Sequence, residues 1–148
     1  MELTQGIYRI QDIALTSLAK EFGTPLYVYD AEKIIHQLKT LKTAFSNSDV
    51  RIKYAAKALT NLSILKLLNK FGSDVDVVSI QEAHLALKAG FTPSQIMYTP
   101  SGVDFSEIIE AVNLRLTINL DNLSILNKFG EKYKDSYPCS VRLNPHIM

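Results

Sequence analysis

Arg51-Ile52-Lys53-Tyr54-Ala55-Ala56-Lys57 is a short, mainly apolar run that ends on a lysine, and a helical pattern opens a few residues later. The run reads as a buried β-strand, so Lys57 stands where a strand empties into a loop. A lysine at a strand end, taken alone, is an ordinary surface residue. Apolar surroundings would desolvate it, and desolvation favours a neutral amine over an ammonium. A neutral amine is a nucleophile that forms a Schiff base with a carbonyl compound. The flanking sequence decides between the two readings.

Upstream, residues 11–22 read as a helix, with Leu15, Leu18, Ala19 and Phe22 at helical spacing and Gly23 as its stop. Pro25-Leu26-Tyr27-Val28-Tyr29 reads as a strand of aromatic and β-branched character. Residues 31–45 read as a helix with Ile34, Leu38, Leu41 and Phe45 on one face. Downstream, a helix is expected from Asn61, an N-cap residue type, to Phe71, with Gly72 as its stop. Further strands are expected at 75–79, 96–99, 116–120 and 140–144. The helices between them are expected to end at Lys88 before Gly90, to span 104–112, and to span 121–129 before Gly130.

Strand–helix alternation of this kind predicts a parallel sheet with helices outside, and strands apolar on both faces. A doubly wound sheet and a (β/α)8 barrel both satisfy the alternation. A dinucleotide-binding first unit would carry Gly-x-Gly-x-x-Gly after its first strand, and neither that run nor a P-loop occurs. The barrel is therefore the expected fold class: α/β, a partial TIM (β/α)8 barrel. A closed barrel takes about 250 residues. The 148 residues account for about five strands and four helices from the Lys57 strand onward, the first part of a barrel. Five strands leave two edges unpaired, so the piece alone is expected to aggregate or to need a complementing segment. Asn61-Leu62-Ser63-Ile64-Leu65 recurs as Asn122-Leu123-Ser124-Ile125-Leu126, and Asn-Lys-Phe-Gly occurs at both 69–72 and 127–130. These are similar solutions for two outer helices rather than a solenoid repeat.

Composition narrows the function. Hydrophobic residues make up 47% of the chain and the formal net charge is +1. No basic excess points to nucleic acid, and no long apolar run points to a membrane span. The N-terminus has neither the positive nor the apolar region of a signal peptide. Cys139 is the single cysteine, which leaves no disulfide framework or cysteine-based zinc site and fits a reducing cytoplasm. His36, His84 and His146 have no metal-ligand spacing; His36 and His84 fall in helical patterns and His146 in a loop. No metal is expected.

Three features fall near strand ends, where barrels build their sites. Asp76 interrupts an apolar strand, and a buried carboxylate needs a partner, either a structural ion pair or the Lys57 amine. Arg142 is the charge in the last strand, on the same face as Asn144, with Asp76 as a candidate partner. Lys57, Asp76 and Arg142 would then form a chain of alternating charge that tunes the amine. Ser79-x-x-Glu82 reads as a capping box at the next helix, and Asp104-x-x-Glu107 has the same form.

Tyr54-Ala55-Ala56-Lys57-Ala58 resembles the Tyr-Ala-x-Lys-Ala-Asn motif of the fold-type III pyridoxal-phosphate decarboxylases, which share an alanine-racemase-like barrel. Thr24-Pro25-Leu26-Tyr27-Val28-Tyr29-Asp30 resembles the entry segment of the diaminopimelate decarboxylases within that group. Asp76-Val77-Val78-Ser79-Ile80-Gln81-Glu82 and Ala86-Leu87-Lys88-Ala89-Gly90-Phe91 resemble their next motif. Val141-Arg142-Leu143-Asn144-Pro145 resembles their Arg-x-Asn-Pro strand. The motifs run through the chain in the family's order. Leu59 departs from the pattern, standing where the motif carries Asn.

The resemblance implies pyridoxal 5'-phosphate as cofactor, with Lys57 as its Schiff-base lysine. It places Asp76 and Arg142 as a supporting pair at the cofactor and Ala55 near its ring. The implied reaction is decarboxylation of meso-2,6-diaminoheptanedioate to L-lysine and carbon dioxide, the last step of lysine biosynthesis. The implied assembly is a cytoplasmic homodimer. Residues 1–30 would lead in from a second β domain, and 31–148 would be the N-terminal part of the cofactor-binding barrel. The family's stacking histidine, glycine-rich phosphate loop and partner-subunit cysteine have no counterpart here, so full activity is not expected of these residues alone. Two alternatives stand beside this reading: a related decarboxylase of arginine, ornithine or carboxynorspermidine, and a non-enzymatic pyridoxal-phosphate-binding barrel.

Overall fold

Two compact units divide between Thr40 and Leu41 in the computed structural model, which describes residues 1–145. His146 lies outside the described residues.

The first unit opens with an antiparallel sheet that the sequence reading did not anticipate. Strand β1 (Glu2–Thr4) pairs with β2 (Ile7–Ile10), which pairs with β3 (Ile13–Ala14). Gln5 and Gly6 both have positive φ, 51° and 75°, the geometry of a two-residue hairpin turn. Helix α1 (Leu15–Phe22) therefore starts at Leu15 rather than at residue 11. Residues 11–14, read as the start of that helix, instead form a turn, with Gln11 at φ 53°, and strand β3. The expected strand at 25–29 forms no ladder with any described residue, and Tyr27 is 88% exposed. β-Propensity describes a fit to a pleated, half-buried surface, and no such surface is offered there. Helix α2 (Ala31–Ala44) follows, with Lys33 N–H donating to Asp30 Oδ1 at 3.1 Å.

The second unit holds five strands: β4 (Lys53–Ala55), β5 (Asp74–Val77), β6 (Ile96–Tyr98), β7 (Thr117–Leu120) and β8 (Cys139–Val141). They lie side by side in chain order, and every pairing is parallel. Helices α3 (Leu62–Lys70), α4 (Ile80–Lys88), α5 (Phe105–Asn113) and α6 (Leu123–Tyr133) connect them. A doubly wound sheet reverses its strand order at a switch point. This sheet never reverses, as a barrel requires. No helix among the described residues is long and apolar enough to cross a membrane.

The two faces of the sheet differ in chemistry. Val75, Val77, Ile96, Tyr98, Ile118 and Leu120 point to the helices and are essentially fully buried, joined there by Leu65, Ile108 and Phe129. The alternate positions are Asp74 and Asp76 on β5, Met97 on β6, Thr117 and Asn119 on β7, and Ser140 on β8. The expectation of strands apolar on both faces holds for the helix side alone. The other side is mostly polar, as suits a surface that meets a ligand and water rather than a second layer of helices.

Helix ends follow the sequence in most places. Asn61 Oδ1 accepts from the N–H groups of Ser63 and Ile64 at 2.9 and 3.3 Å, and Asn122 repeats the arrangement with Ser124 and Ile125 at 2.8 and 3.3 Å. The Ser79 hydroxyl accepts from Glu82 N–H, while the Glu82 carboxylate takes Val78 N–H at 2.9 Å. Asp104 holds the N-cap position of α5 without a side-chain cap bond, so the expected second capping box does not form. Gly130 does not end α6, which continues to Tyr133. It falls eight residues after its cap, against eleven for Gly72. Buried Phe129 packs on Tyr133 one turn further, ring centroids 4.7 Å apart, and carries the helix through the glycine.

Candidate functional site

The side chains singled out in the sequence fall on or after three strands: Ala55 and Lys57 at β4, Asp76 on β5 and Arg142 after β8. Strand β4 stops at Ala55, and Ala56–Ala58 form a single 3₁₀ turn that carries Lys57. Ala56 is fully buried and anchors the turn, and Tyr54 Oη donates to Leu59 O at 3.2 Å across it. Lys57 itself is exposed, and its amine makes no hydrogen bond or ion pair with a described residue. The apolar desolvation expected around it is therefore not supplied by this unit. The strand ends two residues earlier than the sequence suggests, and the turn carries the side chain away from the packed interior.

Ala55 is half-buried and lies beside Asp76 in the β4–β5 register. Its methyl group occupies little of the space over that stretch of the polar face. Asp76 is half-buried, and its Oδ1 accepts a 2.6 Å hydrogen bond from Thr99 Oγ1. Asn119 Nδ2 donates in turn to Thr99 Oγ1 at 3.3 Å. Asp76 thus partners a threonine on the next strand, and no hydrogen bond or ion pair joins it to Lys57 or Arg142. Arg142 follows β8 and is held by its own N–H, which donates to Leu120 O at 2.8 Å. Its side chain is exposed and lines a cleft of about 500 Å³ with Ser101, Asp121 and Asn144. The alternating chain of Lys57, Asp76 and Arg142 does not form among the described residues, because the strands between β5 and β8 separate its ends.

The buried ion pair considered for Asp76 belongs to Asp74 instead. Asp74 is buried, and its Oδ2 meets Arg51 Nε at 2.7 Å and Lys53 Nζ at 3.2 Å. It starts β5, at the opposite end of the sheet from Lys57, and its role is structural. Thr99 and Asn119 were not singled out from the sequence. The signal was present: Met97, Thr99, Thr117 and Asn119 occupy the alternate positions that the strand period assigns to the polar face. His84 Nε2 lies 2.8 Å from Glu110 Oε1 on the exposed helix surface, remote from this constellation in role. No group of three His, Cys, Asp or Glu side chains among the described residues gathers in a metal-ligating cluster.

A parallel sheet whose strand order never reverses, with a polar face opposite its helices, defines a segment of a (β/α) barrel. The chain belongs to the pyridoxal-dependent decarboxylases: residues 31–148 match the family's pyridoxal binding domain. It is 40% identical to a diaminopimelate decarboxylase of Methanothermobacter thermautotrophicus over 88% of this chain and 31% of that protein. It is 35% identical to one of Aquifex aeolicus over 99% of this chain and 36% of that protein. The crystal structure of diaminopimelate decarboxylase from M. jannaschii in complex with L-lysine superposes with a TM-score of 0.88 at 28% identity, covering 99% of this chain and 36% of that one. The chain thus spans about a third of the length of the curated relatives it matches.

The residues present fit pyridoxal phosphate. The cofactor's aldehyde would need an accessible amine, and the exposed Lys57 would offer one. Ala55 would leave room for the cofactor's ring, and Asp76 and Arg142 would offer it charges of opposite sign.

Proposed function

We propose that this chain is the cofactor-binding part of a diaminopimelate decarboxylase, acting on meso-2,6-diaminoheptanedioate to yield L-lysine and carbon dioxide. The observation that carries the reading is the exposed, unpartnered Lys57 amine at the mouth of a polar sheet face, within a segment that matches the family's pyridoxal binding domain. Pyridoxal phosphate, when bound, supplies an electron sink for the pair released as a carboxylate leaves. This chain's residues contribute four groups to the site. Lys57 offers the amine that anchors the cofactor and yields to the substrate's amine. Ala55 leaves room for the ring, Asp76 provides a fixed negative charge for a bound N–H group, and Arg142 provides a cation for an anionic group at the cleft.

The proposal extends to the surrounding architecture. Residues 1–30 belong to a second β domain; the support is the antiparallel sheet of β1 to β3, with apolar Leu3, Tyr8 and Ile13 left exposed. Homodimeric assembly and a cytoplasmic setting rest on the family resemblance. A chimera tests the activity. Residues 31–148 replace the matching segment of the M. thermautotrophicus enzyme, and carbon dioxide release from meso-2,6-diaminoheptanedioate is compared with release from ornithine and arginine. The proposal predicts release from the first substrate, abolished by Lys57→Ala. A folded, cofactor-loaded chimera that prefers ornithine or arginine overturns it.

A further inference from the structure

We propose that Thr99, backed by Asn119, is a positioning residue that fixes Asp76 at the cofactor site; the inference rests on the function proposed above. Thr99 is 8% exposed and sits just past β6, where its N–H donates to Val77 O at 2.8 Å. Its side chain is β-branched and therefore stiff at χ1. A threonine hydroxyl has one proton, and the carboxylate of Asp76 can only accept, so that proton lies on the 2.6 Å contact. Asn119 Nδ2, a donor, then feeds the Thr99 oxygen at 3.3 Å. The direction is fixed along the whole relay: Asn119 to Thr99 to Asp76, across three neighbouring strand ends.

The relay acts on one oxygen of the carboxylate. Oδ1 is tied to Thr99, while Oδ2 has no hydrogen-bond partner among the described residues. Oδ2 is left as the acceptor for an N–H of a bound ligand. In register Asp76 lies between Ala55 and Met97, and the Ala55 side is too small to cover it. A free aspartate would spread over several rotamers and lose part of its interaction to ordering. A tied one presents its charge at a set place. The 2.6 Å distance is that of a charge-assisted hydrogen bond, stronger than a neutral one.

The test measures pyridoxal 5'-phosphate binding by the full chain, through absorbance titration and borohydride trapping. Thr99→Val, which keeps the shape and removes the proton, weakens binding about tenfold. Thr99→Ser restores it to within about twofold, because the hydroxyl returns. In an Asp76→Ala background, Thr99→Val has no further effect, since the residue acts only through Asp76. Urea unfolding separates folding from binding. If Thr99→Val does not fold, Asn119→Leu carries the comparison with a smaller loss, about threefold. Unchanged binding in a folded Thr99→Val, with label on Lys57, overturns the positioning role and leaves the proposed function standing. So does an equal loss with and without Asp76. A wild-type chain whose label falls on another lysine overturns both.

Discussion

Two glycines in the same local sequence should respond to alanine with opposite signs. Asn-Lys-Phe-Gly ends at Gly72 and at Gly130. Gly72 follows α3 with φ 76°, and its N–H closes the helix end on Asn69 O at 2.9 Å. Alanine in that left-handed region costs about 1–2 kcal/mol. A Cβ there would also lie 2.7 Å from Lys42 Nζ, which donates to Phe71 O at 2.8 Å. The lysine end can move, but its bond to the helix terminus is lost, adding up to about 1 kcal/mol. Gly72→Ala is therefore expected to destabilise by about 2 kcal/mol. Gly130 lies inside α6, where an added Cβ would meet no described atom within 4 Å beyond its chain neighbours and the helix's own backbone, and its carbonyl accepts from Lys134 N–H at 2.9 Å. Alanine there should stabilise by about 0.5–1 kcal/mol, by restricting the unfolded chain and favouring helix. With a urea m-value of about 1–3 kcal/mol per M, the two midpoints separate by about 1 M or more. Urea unfolding followed by far-ultraviolet circular dichroism measures both. Destabilisation by Gly130→Ala equal to that of Gly72→Ala would refute the placement of Gly130 inside the helix.

Two tyrosines form a second contrast. Tyr137 Oη donates to Leu116 O at 2.6 Å, so Tyr137→Phe should cost about 1 kcal/mol in thermal or urea unfolding. The Tyr98 hydroxyl is buried, with no partner at hydrogen-bond geometry among the described residues, although the Glu107 carboxylate lies near enough to act on it; Tyr98→Phe should be neutral or stabilising by up to about 1 kcal/mol in the same experiment. Burial holds both phenols protonated above their ordinary range, reinforced at Tyr98 by the Glu107 carboxylate and opposed at Tyr137 by Arg115. Their folded-state values exceed the unfolded value of about 10, so their contribution is complete below that pH and is lost as pH rises through the raised values. A phenolate absorbance titration with parallel unfolding curves should show stability falling only above about pH 10. Asn61→Ala and Asn122→Ala should each cost about 1 kcal/mol and add in the double variant, because they cap separate helices with no shared partner.

The barrel segment was largely legible because its signals are local. Alternating strand and helix patterns, Asn61 at a helix start and Gly72 at a helix stop each report one element, and the order of β4 to β8 follows from short connections. The misses have one cause, that a local pattern depends on partners elsewhere in the chain. Pro25–Tyr29 has strand composition, but no described strand pairs with it. Residues 11–14 read as the start of a helix, yet a hairpin register claims Ile13 and Ala14. Gly130 matches a stop, yet Phe129 and Tyr133 hold the next turn. At the candidate site, Lys57 and Asp76 were proposed by residue type near strand ends. Their expected contact does not form, because Thr99 takes the bond that Lys57 was expected to make. Asp74 and Asp76 differ by two positions and face the same way, so only the register reveals which one meets Arg51 and Lys53.

The most direct test of the account concerns Lys57. The chain is incubated with pyridoxal 5'-phosphate, reduced with borohydride, digested, and its labelled peptide identified by mass spectrometry. The account predicts one dominant pyridoxyl adduct, on Lys57, and its loss in Lys57→Ala. Label spread over the surface lysines in wild type, or concentrated on a lysine other than Lys57, would contradict it.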